Sequence, residues 1–287
     1  MALARYLHHH GVSTPDILAA DENQGFLLVE DFGDDLLYRQ LDKNTADDLY
    51  ATALSTLLDL QHCPDNAALI PRYDQALLHR ELLIFNEWFA TALLGYSLTT
   101  SDKAMLDTLF KTLEDCALAQ PQTLVHRDYH SRNLLLIGGN TERARLGVID
   151  FQGALWGPCS YDLVSLLRDC YLRWPASQVR QWALNYRQQA LTAGLLDDVS
   201  EAEFLRWFDW MGLQRHIKVL GIFARLHLRD GKQHYLGDLP LVIRYTLEVA
   251  EAYSEFRPFT DWFKAKLLPL AERQPWYKDY RYAGDSQ

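Results

Sequence analysis

Long apolar runs are missing from this 287-residue sequence. No uninterrupted stretch approaches the roughly 18–20 residues that span a bilayer, so the sequence predicts no transmembrane helix. The first ten residues have no apolar segment followed by a small-residue cleavage site, and we therefore expect no export signal. Internal repeats and low-complexity tracts are also missing. These absences favour an ordinary folded protein.

Cysteine is scarce and scattered. The sequence has no C-x-x-C pair, and its four cysteines lie far apart, at Cys63, Cys116, Cys159 and Cys170. This spacing is typical of reduced thiols, and it argues against a disulfide framework or a zinc knuckle. We therefore expect a cytoplasmic protein.

Positive charge is in deficit. The sequence has 28 Lys and Arg against 38 Asp and Glu, which gives a formal net charge of −10. Nucleic-acid binding needs a net basic face, so nucleic acid is not expected as a partner. A phosphate ligand remains open, since it needs only local cations or a metal. With 48% hydrophobic residues the chain can bury a large core, in one domain or in two unequal lobes.

The pattern along the chain predicts a small β-containing front end, a large helical body and a central hairpin, that is, an α+β fold. The first helix ends at Gly11, and Thr45 is placed to cap a later one. Other predicted helices cover 45–62, 73–94, 102–119, 200–228, 239–256 and 260–272. Predicted strands cover 17–20, 25–30, 123–125, 134–137 and 145–149, with a turn at 138–140.

Three polar side chains stand at the mouths of the central strands. Asp128 and Asn133 are five residues apart on one loop, and Asp150 follows 22 residues after Asp128, across the hairpin. A tight hairpin returns the end of its second strand to the start of its first, so all three side chains can converge. Phosphoryl transfer requires such a set, with one carboxylate to accept the proton of an attacking hydroxyl and a second carboxylate and an amide to hold Mg²⁺.

These residues also carry a resemblance. His126-Arg-Asp128 with Asn133, followed by Ile-Asp150-Phe, resembles the catalytic loop and metal-binding Asp of the kinase-like superfamily. With the later Tyr-Asp162-Leu-Val-Ser-Leu-Leu, it is similar to the aminoglycoside phosphotransferase and choline kinase group. The resemblance implies a protein-kinase-like fold with ATP and Mg²⁺ as cofactors. Asp128 would be the catalytic base, Asn133 and Asp150 the Mg²⁺ ligands, and His126 and Asp162 structural residues that hold the loop.

One departure and one rival chemistry qualify this interpretation. Gln152 stands where protein kinases have Gly, which fits the small-molecule branch and argues against a protein substrate. The rival chemistry is a metal site formed by His126, Asp128 and His130 on one face of a strand. The polar run after Arg127 is typical of a loop, and Asn133 has no role in that scheme.

Two helical segments narrow the substrate class. Residues 165–175 and 207–232 resemble the anomeric sugar kinases of bacterial cell-wall recycling, which phosphorylate the 1-hydroxyl of N-acetylmuramic acid and N-acetylglucosamine. Residues 204–234 hold six cations against two acids, which suits an anionic or neutral sugar better than a polycationic aminoglycoside. Candidate substrate contacts are Trp88, Trp156 and Tyr171 for stacking and Arg168 for a carboxylate or phosphate. A plain ion pair is the alternative for Arg168.

A glycine-rich phosphate loop is not found. The sequence has no G-x-G-x-x-G, and its first lysine is Lys43, after the expected hinge. The resemblance therefore implies that residues 1–33 are a remnant of the small nucleotide-binding lobe and its hinge, and that 34–287 form the helical catalytic and substrate-binding lobe. The adenine contacts are expected near Glu30, Asp31 and Phe32. Two alternatives stay open: an aminoglycoside or other small-alcohol kinase, and a non-catalytic nucleotide- or sugar-binding remnant.

Overall fold

The computed structural model describes residues 1–138 and 145–285. The predicted turn at 138–140 therefore lies mostly outside the described residues. In chain order, the helices are α1 (Ala2–His9), α2 (Leu37–Gln40), α3 (Ala46–Gln61), α4 (Gln75–Ile84), α5 (Thr100–Ala119), α6 (Ser160–Leu167), α7 (Ala176–Thr192), α8 (Glu201–Leu228), α9 (Leu239–Ala252), α10 (Arg257–Trp262) and α11 (Leu268–Ala271). The strands are β1 (Ile17–Asp21), β2 (Phe26–Val29), β3 (Gln122–Val125), β4 (Leu134–Ile137), β5 (Arg145–Val148) and β6 (Leu155–Pro158).

Shorter helical segments complete the description. Phe85–Leu93 and Phe263–Leu267 are π-helical, and they continue α4 and α10 respectively. Segments of 3₁₀-helix are Phe151–Gly153, Gln233–Asp238, Ser254–Phe256 and Tyr280–Tyr282. Among the described residues, no helix is both long and apolar enough to cross a bilayer.

The chain divides into two compact units, each built from three segments. The first unit contains Met1–Tyr73, Pro121–Leu167 and Ala176–Leu205. The second contains Asp74–Gln120, Arg168–Pro175 and Arg206–Gln287. The predicted functional boundary at residue 33 stays a prediction.

The strands of the first unit form antiparallel pairs. β1 pairs with β2, β3 with β6, and β4 with β5, where Leu134 lies opposite Val148. Two loop segments bond to the β4–β5 hairpin, because the Val148 N–H donates to the Ser13 carbonyl and the Leu136 N–H to the Asp35 carbonyl, each at 2.8 Å. These backbone bonds fix the hairpin that carries Asn133 and Asp150 at one end.

The second unit is helical, with an aromatic core. Phe85 stacks on Phe89, and Phe263 stacks on both. Helix α8 approaches α4 closely at Gly221, where an added Cβ would lie 2.5 Å from the carbonyl carbon of Ile84. Only glycine permits that backbone approach.

Most sequence-predicted elements are present, and two of the differences have clear physical reasons. Thr45 precedes α3, but its side chain does not cap the helix. Its hydroxyl instead donates to the Gln40 carbonyl and accepts from the Asp42 N–H, which closes the preceding turn. Strand β6 was not predicted, because four residues that include Gly157 and Pro158 carry little strand signal.

Candidate active site

The loop between β3 and β4 begins at a buried histidine. The His126 ring is fully buried, its Nδ1 accepts the Asp128 backbone N–H at 3.2 Å, and its Nε2 lies 2.9 Å from the Ile149 carbonyl oxygen. Because Nδ1 accepts, Nε2 carries the proton and donates to Ile149. Burial lowers the pKa of His126 to about 4, so the ring is neutral at pH 7. It links the loop to the end of β5.

A buried carboxylate holds the same loop from the other side. Asp162, in the first turn of α6, accepts the backbone N–H of His126 at 2.6 Å and that of Arg127 at 3.0 Å. Arg127 has a φ of 78°, a left-handed conformation that a non-glycine residue adopts only when its surroundings impose it. The two bonds to Asp162 hold that conformation.

The loop and the hairpin bring the three predicted polar residues to one place. The Ile149 N–H donates to the Asn133 carbonyl at 3.1 Å, and Asp150 follows directly. The Asn133 side-chain Nδ2 donates to the Asp128 carbonyl at 2.9 Å. Asp128 and Asp150 are exposed and Asn133 is half-buried, so all three remain accessible to ligands.

Asp150 lies on a strained turn. Its φ is 63°, and it precedes the 3₁₀ turn Phe151–Gly153. The Gln152 side chain donates to Asp150 Oδ1 at 2.5 Å, and Arg127 Nη1 lies 3.4 Å from the Gly153 carbonyl oxygen. The sequence singled out Gln152 as unusual, but it gave no signal for this contact.

The rival metal site does not form in this arrangement. Both ring nitrogens of His126 are engaged with the backbone, so neither is available as a metal ligand. Within residues 1–138 and 145–285, no group of three or more His, Cys, Asp or Glu side chains is arranged to hold a metal ion.

The predicted nucleotide residues lie beside the hairpin. The Glu30 N–H donates to the Asp16 carbonyl at 2.8 Å, and Asp31 Oδ1 accepts the Gly33 N–H at 2.8 Å. The Phe32 ring lies against β5 at Gly147, where an added Cβ would be only 2.3 Å from Phe32 Cδ2. A glycine three residues before Asp150 therefore makes room for Phe32.

The three residues predicted to stack on a sugar ring have different surroundings. Trp88 is half-buried against the core of the second unit. Trp156 lies in the first unit, with the Arg72 guanidinium 5.8 Å from its ring centroid. Tyr171, in the second unit, donates its backbone N–H to Asp169 Oδ1 at 3.0 Å.

Arg168 lies in the second unit and forms an ion pair, which is the alternative that the sequence left open for this residue. Its Nη2 lies 2.6 Å from Asp209 Oδ1, and its guanidinium lies 4.5 Å from the Phe208 ring centroid. Among residues 1–138 and 145–285, its buried Nη1 finds no hydrogen-bond partner. Roles in substrate binding for Trp88, Arg168 and Tyr171 stay predictions.

Acidic side chains pair with three of the six cations in the segment 204–234. Lys218 pairs with Glu81 at 2.9 Å, with both side chains buried. Arg206 pairs with Glu255 and Arg229 with Asp230, at 2.6 and 2.7 Å. Because Glu81 and Glu255 lie outside the segment, the local charge excess in the sequence overstates the charge available to a ligand.

Most of the chain matches the model of one protein family. Residues 1–208 match the model of the phosphotransferase enzyme family. The chain belongs to this family. Among its relatives, the N-acetylmuramate/N-acetylglucosamine kinase of Pseudomonas putida is 43% identical over 249 residues, which are 87% of this chain and 72% of that enzyme. The kinase of the same name from Caulobacter vibrioides is 30% identical over 283 residues, 96% of this chain and 76% of that enzyme.

Solved structures of more distant proteins share the fold of this phosphotransferase. Plasmodium vivax ethanolamine kinase superposes with a TM-score of 0.62 at 13% identity, covering 92% of this chain and 73% of that one. The ADP-bound aminoglycoside phosphotransferase APH(2'')-Ib superposes with a TM-score of 0.55 at 16% identity, covering 86% and 81%. At these identities the likeness concerns the fold alone. The predicted protein-kinase-like α+β fold is confirmed.

Proposed function

We propose that this phosphotransferase uses ATP and Mg²⁺ to phosphorylate the anomeric hydroxyl of N-acetylmuramic acid and N-acetylglucosamine, in the cytoplasm, as a step of peptidoglycan recycling. The observation that carries the proposal is the loop in which exposed Asp128 follows the buried His126, anchored by Asp162 and bonded to Asn133. The sugar is taken from the relatives, which are named for these two substrates.

Asp128 is the proposed catalytic base. Its carboxylate is exposed, while the Asn133 amide and the His126 ring hold its backbone. It accepts the proton of the 1-hydroxyl as the sugar oxygen bonds to the γ-phosphorus. The bond from that phosphorus to the β–γ bridging oxygen breaks, and ADP leaves with its electron pair. A positioned general base contributes about 10²- to 10⁴-fold to such a step.

Asn133 and Asp150 fit a magnesium ion. The Asn133 Nδ2 is held by the Asp128 carbonyl, which leaves the Oδ1 of that side chain as the ligating atom. Asp150 keeps one carboxylate oxygen clear of Gln152. Mg²⁺ is commonly held by one or two protein oxygens together with substrate phosphates. When bound, the ion neutralises charge that develops on the phosphates.

The nucleotide and the sugar are assigned to separate sets of residues. Glu30, Asp31 and Phe32 are proposed to contact the adenine, which is supported by the packing of Phe32 against the strand that leads to Asp150. For the sugar we propose Trp88, Tyr171 and Arg168, since the buried Arg168 Nη1 has no hydrogen-bond partner in the part of the chain that the structure describes.

The experiment compares acceptors and a base variant. Purified protein is incubated with ATP, Mg²⁺ and N-acetylmuramic acid, N-acetylglucosamine or kanamycin, and ADP release is followed. We expect turnover with both sugars and none with kanamycin. The Asp128→Asn variant should lose at least about 100-fold in kcat while binding ATP normally. Turnover with kanamycin alone would show that the acceptor is an aminoglycoside and neither of the two proposed sugars. Binding of nucleotide or sugar without turnover would indicate a non-catalytic remnant.

A further inference from the structure

The Gln152 amide is committed to one oxygen of Asp150. Its Nε2 donates to Asp150 Oδ1 at 2.5 Å, from within the 3₁₀ turn that follows Asp150. The Gln152 side chain is exposed, so burial in the core does not determine where it lies. A long exposed side chain held in one place loses rotamer entropy. The hydrogen bond to Asp150 is the interaction that offsets this loss.

The backbone beneath this contact is fixed from the catalytic loop. Asp150 is left-handed with a φ of 63°, and Arg127 Nη1 approaches the Gly153 carbonyl at the far end of the same turn. The terminal torsion of an aspartate is broad, so its carboxylate rotates unless a neighbour holds it. With the backbone fixed and Oδ1 bonded, the direction of Oδ2 is set.

We propose that Gln152 is a positioning residue that orients the Asp150 carboxylate so that Oδ2 faces the divalent cation. The inference rests on the proposed function, which makes Asp150 a metal ligand. A neutral amide suits the task because it donates a hydrogen bond and leaves the negative charge of Asp150 available to the cation. Lysine or arginine at 152 would neutralise that charge, and glutamate would repel it.

The test measures metal affinity directly. Mn²⁺ binding to the whole protein with ADP is followed by the electron paramagnetic resonance of free Mn²⁺. Gln152→Met keeps the side-chain length and removes the donor. We expect it to raise the Kd for Mn²⁺ about tenfold, since residues that orient metal ligands typically contribute 10- to 100-fold to affinity. The Mg²⁺ concentration for half-maximal activity should rise by the same factor, and Gln152→Ala should behave alike.

The matched control is Gln178→Met. Gln178 Nε2 donates to Asp47 Oδ1 at 3.2 Å, which is the same kind of exposed contact between α7 and α3. This variant should leave Mn²⁺ affinity unchanged. A Kd within about twofold of wild type in both Gln152 variants would overturn the inference, given the expected effect.

The assay separates this inference from the proposed function, because Mn²⁺ binding needs no sugar. If the Gln152 variants lose Mn²⁺ affinity but the wild-type protein phosphorylates neither sugar, the inference is upheld and the proposed substrates are wrong. If those variants keep normal Mn²⁺ affinity and the wild-type protein phosphorylates the sugars, the inference is wrong and the proposed function is upheld. A wild-type protein that binds no Mn²⁺ with ADP would overturn the inference, whatever the sugar assay shows.

Discussion

The bonds between Asp162 and the loop that carries Asp128 provide a quantitative prediction. Asp162 is fully buried and accepts the backbone N–H groups of His126 and Arg127. Asp162→Asn preserves shape but replaces one carboxylate oxygen with an NH₂ group, which cannot accept. One of these two backbone N–H groups therefore loses its bond to this side chain, and the other loses a charged acceptor. Hydrogen bonds to charged groups contribute about 1.5–3 kcal/mol each.

We expect Asp162→Asn to lower the free energy of unfolding by about 2–4 kcal/mol. At about 2–4 °C per kcal/mol, the melting temperature should fall by roughly 5–15 °C. The loop would also shift, and a displacement of about 1 Å at a reacting group can cost 10²-fold in rate. We therefore expect kcat to fall about 100-fold even well below the melting temperature.

Thermal denaturation by circular dichroism and steady-state kinetics test this together. The control is Asp107→Asn on the exposed face of α5, which should change stability by no more than about 0.5 kcal/mol. A variant at 162 that melts early but keeps its kcat would show that Asp162 supports the fold without orienting the loop. Wild-type stability and wild-type kcat together would show that neither the fold nor the loop depends on the Asp162 carboxylate.

Three further predictions concern the second unit. Lys218→Met removes the ammonium that pairs with the buried carboxylate of Glu81 and should destabilise by about 3–5 kcal/mol in urea denaturation, whereas changing both residues to apolar ones should recover most of this loss. Gly221→Ala forces a Cβ against backbone and should cost about 1–3 kcal/mol or more, while Gly237→Ala, with open space around it, should change little. Burial lowers the pKa of His216 to about 3 from about 6.5. Between pH 7 and pH 5, therefore, the histidine takes up a proton in the unfolded chain but not in the folded one. Over this range the free energy of unfolding should fall by about 2 kcal/mol more in wild type than in His216→Gln.

Each of these variants has a contradicting outcome. Full stability in Lys218→Met would show that the ion pair with Glu81 contributes nothing to the free energy of unfolding. Equal unfolding midpoints for Gly221→Ala and Gly237→Ala would show that α4 and α8 separate easily. Identical pH dependence in wild type and His216→Gln would show that the pKa of the histidine is the same in the folded and unfolded chain.

Local patterns predicted the elements around the site, because they depend on residues close in sequence. The apolar runs that indicated β3, β4 and β5 are short and bounded by turn residues. The hairpin between β4 and β5 then predicts that Asp128, Asn133 and Asp150 converge. Pattern did not predict exposure, however. β2 is apolar on both faces, which is typical of a buried strand, yet Phe26 is 67% and Leu28 59% exposed.

Contacts between distant residues could not be predicted from the sequence. Lys218 and Glu81 lie 137 residues apart, and no local pattern indicates that one neutralises the other. The same holds for Arg206 with Glu255, which is why the cation-rich segment suggested more available charge than the structure leaves. Gln152 and Asp150 are two residues apart, but their contact depends on the left-handed backbone at Asp150.

We propose that Asp128 directs phosphoryl transfer to the anomeric oxygen of an N-acetylated amino sugar. The most direct measurement is ³¹P NMR of the product formed from ATP, Mg²⁺ and N-acetylglucosamine. We predict a sugar phosphate whose phosphorus couples to the anomeric proton, and no such product from Asp128→Asn. Phosphate on another hydroxyl, or undiminished product from the variant, would contradict the account.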